Sequence, residues 1–122
     1  MRRATATVAV LTLALASCGG GGERSDEDLA REAAQGFMDD LVPGRYEKAC
    51  DQLDVPFRRL LDQTGGCADA IATLPKVRSP HAENVKVQRD QATAEIRGKA
   101  RKPIRLKLVR KDGQWRVSEM IA

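Results

Sequence analysis

Residues 83–97 read ENVKVQRDQATAEIR and residues 104–118 read IRLKLVRKDGQWRVS. These two stretches decide the fold. Val85 and Val87 alternate with Lys86 and Gln88, and Ala92, Ala94 and Ile96 with Thr93, Glu95 and Arg97. Ile104, Leu106 and Leu108 alternate with Arg105 and Lys107, and Trp115 and Val117 with Arg116 and Ser118. A period of two marks a half-buried strand. Asp112-Gly113 is a tight-turn dipeptide between the last two runs. Arg89-Asp90-Gln91 forms a turn between the first two. Four short-looped strands predict an antiparallel meander with one apolar and one wet face.

Upstream the period is helical. Ser25 caps a first helix, with Asp28 as its capping-box partner and Asp26, Glu27 and Asp28 in the first turn, where the helix dipole favours acids. Leu29, Ala33, Phe37 and Leu41 recur every fourth residue, and Ala30, Ala34 and Met38 widen the stripe. Pro43-Gly44 ends this helix. A second, from Arg45, turns Tyr46, Ala49, Cys50 and Leu53 inward. Pro56 opens a third, with Phe57, Leu60 and Leu61 inward, and Gly65-Gly66 stops it. Cys67 to Leu74 reads as a fourth, stopped by Pro75, and Ser79-Pro80-His81 as a connecting loop. The apolar sheet face needs a cover, and the helices supply it. The fold class is therefore α+β: N-terminal helices packed on one face of a C-terminal antiparallel sheet of about four strands, in a single domain over 26–122.

The N-terminus has another logic. Arg2 and Arg3 precede an uncharged, mostly apolar run from Ala4 to Ala16, and Leu15-Ala16-Ser17-Cys18 follows. Basic start, apolar run and small residues make a secretory signal. The run is shorter than the ~20 residues of a membrane span. Leu15-Ala16-Ser17-Cys18 resembles the lipobox of bacterial lipoproteins. The resemblance implies that residues 1–17 are removed, that Cys18 receives the lipid, and that the mature chain is anchored on the outer face of the cell membrane. The alternative is an ordinary secretory signal with a Cys beside the cut. Gly19 to Gly22, with Glu23 and Arg24, then form a tether over 18–25 of ~15 Å mean span.

The whole chain carries 21 basic and 17 acidic residues. Without Arg2 and Arg3 the balance is nearly even, which makes no case for nucleic acid. The distribution is uneven: residues 23–40 are strongly acidic, and residues 97–116 hold Asp112 as their single acid among many cations. Cys50 and Cys67 remain as an even pair in an exported domain, where thiols are usually oxidised. A bridge would close a loop of about 18 residues. The alternatives are two free thiols or a metal pair. The chain has one His and no Cys-x-x-Cys, so no metal is expected.

The helix-then-strand order, with Tyr46-Glu47-Lys48-Ala49-Cys50, Gly66-Cys67 and the terminal Asp112-Gly113-Gln114-Trp115-Arg116-Val117, resembles the NTF2-like (cystatin-like) lipoproteins of actinobacteria. The resemblance implies a curved sheet wrapped around a long helix, often with a pocket between them.

Catalytic signals are weak. His81 is tied to no nucleophile by any motif and reads as a solvated residue. Asp39-Asp40 and Asp51/Asp54 are paired carboxylates, but acid–base work needs two unlike environments facing one cavity. They read as solvated surface. Tyr46 and Trp115 could line a pocket, though core positions suit them better. No phosphate loop is present, and no cofactor is expected. The feature above background is a basic strand face: alternation puts Lys86, Arg97, Arg105, Lys107 and Arg116 on the outer side of the sheet, interrupted by Glu95. The plain reading is a solvated face that discourages edge pairing. The sharper one is contact with anionic lipid or anionic wall polymer, at ~1 kcal/mol per basic residue. Two functions follow: a non-enzymatic binding or accessory module of the envelope, favoured by the anchor, or a small-molecule binder or enzyme with an NTF2-like pocket. A deep cavity with converging polar groups favours the second; an interior packed by apolar side chains favours the first.

Overall fold

The computed structural model describes residues 24–99 and 102–121. The signal segment, Cys18 and the Gly19–Gly22 tether lie outside them. Four helices, α1 (Asp26–Leu41), α2 (Tyr46–Asp51), α3 (Val55–Asp62) and α4 (Cys67–Ile71), precede four strands. These are β1 (Arg78–Gln88), β2 (Gln91–Lys99), β3 (Ile104–Lys111) and β4 (Gln114–Ile121). The strands form one antiparallel sheet in the order β1-β2-β3-β4.

Ser25 Oγ accepts the Asp28 N–H at 3.1 Å and caps α1. The helix buries Ala30, Ala34, Phe37, Met38 and Leu41 completely against the sheet. The expected stripe is buried except along one margin. Leu29 is 37% exposed and Ala33 only half-buried, because the small Ala30 and Ala34 let the helix approach the sheet closely and so take its centre line. Cys50 on α2 and Cys67 on α4 form a disulfide, with Cα atoms 6.2 Å apart. In α3, Leu61 is buried and Phe57 half-buried. Leu60 is 62% exposed, since residues four apart share a helix face and their neighbour does not. The fourth helix ends at Ile71, not Leu74. Leu74 N–H bonds Ile71 C=O at 3.1 Å in a closing turn before Pro75, and the residue before a proline disfavours helix.

The strands bury Ala92, Ala94, Ile96, Ile104, Leu106, Leu108, Trp115 and Val117 as the alternation requires. Asp112 and Gly113 both take positive φ (52° and 75°), as a tight hairpin turn demands. One expectation fails at the sheet edge. Ser79-Pro80-His81 is not a loop but part of β1. Pro80 is tolerated there because an edge strand has a free side that needs no N–H. Two register shifts flank it, Arg78/His81 and Glu83/Lys86, and Ser79 and Asn84 have φ of 49°. The second shift places Ala82 and Val85, three residues apart, on the same buried face. Gly98 on β2 passes against Val77 and Arg78 so closely that a Cβ would lie 2.3 Å from the Arg78 carbonyl oxygen.

Both sheet edges are covered in part. On the β1 side, Gln35 of α1 donates to Pro80 C=O at 2.8 Å and accepts from Ala82 N–H at 2.9 Å. On the β4 side, residues 52–54 run parallel to the strand: Val117 N–H bonds Gln52 C=O at 2.9 Å and Asp54 N–H bonds Val117 C=O at 2.8 Å. Unpaired edges invite association with other chains, and such covers lessen that hazard.

Candidate functional site

The sheet face turned away from α1 carries the cations expected there, with more compensation than alternation alone shows. Lys86, Thr93, Lys107 and Glu119 form one cross-strand row, and Glu95 faces Arg105 in another. Arg97 pairs with Glu95 at 3.0 Å and with Glu83 at 3.4 Å, and Lys107 with Glu119 at 3.4 Å. The Glu95 carboxyl is held below its usual range by the Asn84 amide and then by the Arg97 guanidinium. Arg116 is spent differently. Its guanidinium donates to the Asp51 carbonyl at 2.7 Å and to Gln114 Oε1 at 2.8 Å, tying β4 to the end of α2. Lys86, Arg97, Arg105 and Lys107 therefore share a face with Glu83, Glu95 and Glu119. It is a mosaic of charge, not a uniform basic plate.

Part of this face is concave. A trough of about 480 Å³ is lined by Lys86, Thr93, Lys107, Val109, Ser118 and Asp54, with Gln88 and Gln91 at one end. The expectation for Asp54 fails here: its carboxylate is not solvated but buried, at 5% exposure. Asp54 occupies the N-cap of α3 yet makes no side-chain cap bond, although Asp is chosen at that position for that bond. Its carboxylate turns into the trough. Lys111 Nζ lies 3.0 Å from Oδ1 and 3.2 Å from Oδ2, but is aligned to donate to Oδ2 alone, so Oδ1 has no hydrogen-bond donor. A carboxylate has about four acceptor positions; here Oδ2 takes the Lys111 hydrogen bond, and Oδ1 is shut off from bulk solvent without one. Sequence reasoning missed Asp54 because its burial comes from pairing with Val117, which no local pattern announces. The signal it did leave is an Asp two residues before Pro56.

The other carboxylates do not share one cavity: Asp39 lines a shallow hollow on α1 with Asp28 and Glu32, and Asp51 lines a separate one with Glu32 and Trp115. Asp39 is exposed and accepts from Gln35; Asp51 is exposed and pairs with Arg58 at 3.1 Å. Asp40 accepts from Arg45 at 2.8 Å and from Gln52 at 2.6 Å. The Arg45 bond holds its carboxyl below the usual range against the opposing effect of burial, and Gln52 adds to the lowering. His81 is exposed on β1 opposite Arg97. Tyr46 is half-buried and its hydroxyl accepts from Lys76 at 2.8 Å. Trp115 is core and carries the Arg110 guanidinium 5.2 Å above its ring. Among the described residues no group of three or more His, Cys, Asp or Glu could hold a metal ion, and no helix is long and apolar enough to cross a membrane.

Under the middle of α1 the space against the sheet is filled: Phe37, Met38, Leu41, Ile96, Ile104 and Leu106 meet there with at most 1% exposure. At the N-terminal part of the helix a more open hollow of about 660 Å³ lies between Leu29, Glu32 and Ala33, the Asp51-Gln52 segment, and Gln114, Trp115 and Arg116 of β4. Helices packed on one face of a four-strand antiparallel meander make an NTF2-like α+β fold. A crystal structure of a Campylobacter jejuni protein, described as a candidate NTF2-like transpeptidase, is similar to this chain with a TM-score of 0.56 and 16% sequence identity. The likeness covers 78% of this chain and 99% of the other. No protein-family model matches the chain, and no curated protein does.

Proposed function

We propose that the chain is an exported lipoprotein, anchored through Cys18 to the outer face of the bacterial cell membrane, whose NTF2-like domain is a non-enzymatic binding module of the envelope. The observation that carries the binding-module reading is the apolar filling between α1 and the sheet. The middle of the space between α1 and the sheet is occupied by Phe37, Met38 and Leu41, each fully buried, and the hollow left beside Leu29 and Trp115 is open and shallow in place of a deep pocket. The polar concavity lies on the other face, beside the chain's exposed cations. The name of the Campylobacter protein would carry a catalytic reading across. Here Cys50 and Cys67 are joined to each other, so neither offers a thiolate for acyl transfer. The anchor reading rests on Arg2, Arg3, the apolar run and Leu15-Ala16-Ser17-Cys18. On a short tether the sheet's outer face meets the anionic components of the envelope.

The test is metabolic labelling with a fatty-acid analogue, together with membrane fractionation, of the full chain and of Cys18→Ala in a bacterial host that processes lipoproteins. The natural chain should take label and stay with the membrane. Cys18→Ala should lose both. Label that persists on the variant removes the anchor reading.

A further inference from the structure

We infer that the trough on the outer sheet face is a binding site for an acidic carbohydrate, with Asp54 taking hydroxyl donors and Lys86 and Lys107 taking the acid groups. Three observations meet at this place. First, Asp54 is withheld from capping α3 and is the one charged side chain buried among the described residues. A buried carboxylate oxygen without a donor costs free energy, and a ligand hydroxyl supplies the missing bond. Second, Lys86 and Lys107 flank Thr93 in one cross-strand row. Adjacent strands lie ~4.8 Å apart, which sets these two lysines ~10 Å apart, a span matched by acid groups on successive sugar units. Lys86 has no hydrogen-bond or ion-pair partner among the described residues, and Lys107 has only Glu119 at 3.4 Å. Third, the remaining lining is neutral and polar over a small apolar floor: Thr93 and Ser118 with Val109. Hydroxyl and amide groups over an apolar patch match the two faces of a sugar ring.

Charge selects this occupant over a lipid surface. A membrane rewards a broad excess of cations, and the mosaic of Glu83, Glu95 and Glu119 weakens that excess outside the trough. A discrete acidic chain needs only the local pair of lysines, and its geometry can set acid groups on them and a hydroxyl at Asp54, which a continuous plane of headgroups cannot. The inference deepens the reading of an envelope binding module and rests on it for where the polymer is met. Its test is independent of export.

The full chain, held in a non-ionic detergent, is titrated calorimetrically with a uronic-acid tetrasaccharide, with a neutral glucose tetrasaccharide, and with glycerophosphoglycerol, the soluble headgroup of phosphatidylglycerol. The acidic sugar should bind at least about tenfold more tightly than the neutral one, the worth of a charge-assisted bond. Lys86→Gln and Lys107→Gln should each weaken it, and Asp54→Asn should do so by about tenfold. Arg105→Gln, on the same face but outside the trough, should leave the affinity unchanged. If Asp54→Asn does not fold, Lys86→Gln decides, since that side chain is exposed. Equal affinity for the two sugars overturns the assignment. So does an Arg105→Gln loss as large as that of Lys107→Gln, which would mean diffuse attraction. Binding to the soluble headgroup without binding to the acidic sugar also overturns it, and leaves the envelope-module reading standing.

Discussion

The Gln35 side-chain carbonyl accepts the backbone N–H of Ala82 at 2.9 Å, while the amide of the same side chain donates to the Pro80 carbonyl at 2.8 Å. One side chain of α1 thus supplies the edge of β1 with the two bonds that a further strand would make. Opposite, residues 52–54 do the same for β4 through backbone groups. Each edge of the sheet is thus capped at one point, by a side chain of α1 on one side and by the connection between α2 and α3 on the other.

Gln35→Met keeps the volume of the side chain and removes both bonds. Each leaves a partly buried backbone group unpaired, so the variant should lose about 1–3 kcal/mol of stability in urea unfolding. Native-state hydrogen exchange gives the specific signature: the Ala82 amide should lose protection more than amides of β3. A variant with wild-type exchange at Ala82 would mean that the edge is held by other contacts.

What the sequence made legible follows from locality. The antiparallel meander was readable because Ala92–Ile96, Ile104–Leu108 and Trp115–Val117 each alternate and Asp112-Gly113 states its own turn. Ser25 announced the start of α1 through its local cap. The failures lie where long-range contacts decide. Ser79-Pro80-His81 reads as a loop because a proline and two register shifts erase the period, and its strand state depends on Gln35 and on β2. Leu29 and Leu60 fit apolar stripes that the real helix orientations turn outward. Among the candidate site residues, Lys86 and Lys107 stand on the predicted face. Glu83 and Glu119 as counter-charges, the diversion of Arg116 to Asp51, and the burial of Asp54 depend on register and on chain segments far apart in sequence.

Gly98→Ala should be among the most damaging single-methyl additions in the domain. The new Cβ would lie 2.1 Å from Val77 Cγ1 and 2.3 Å from the Arg78 carbonyl oxygen. A side-chain clash could relax, but the carbonyl belongs to the backbone. Overpacking of this kind costs about 1–3 kcal/mol, and here β1 must also shift. Thermal unfolding should show the loss. The double variant Val77→Ala/Gly98→Ala should recover little of it, because the backbone contact survives. Full recovery would place the strain in the Val77 side chain alone.

The Cys50–Cys67 bridge joins α2 to α4, two helices of six and five residues. Helices this short have little stability of their own, so the cross-link does much to place them. Closing a loop of this size is worth about 3 kcal/mol in the chain-entropy account. Cys50→Ser should lower stability by that amount, and mass mapping of an unreduced digest should find the two cysteines in one cross-linked fragment. Both found free in protein taken from an oxidising compartment would contradict the assignment.

Acid should loosen the β4 edge through Asp40. Arg45 and Gln52 both donate to this carboxylate, at 2.8 Å and 2.6 Å, and Gln52 opens the segment that pairs with Val117. The bond from Arg45 foremost lowers the Asp40 pKa below its ordinary value of 3.8. A depressed folded value means that the unfolded state binds the proton more readily. The stabilisation is therefore present above the unfolded value and is lost as pH falls through the folded one. Wild type and Asp40→Asn should differ in urea unfolding at about pH 7, and the gap should close as pH falls through the folded value, because the wild-type carboxyl then also becomes neutral. The Val117 amide, which donates to the Gln52 carbonyl, should lose exchange protection in Asp40→Asn at neutral pH and in wild type only in acid. A stability gap that stays constant across that range would show that Asp40 acts through shape alone and that its charge does not hold the edge segment in place.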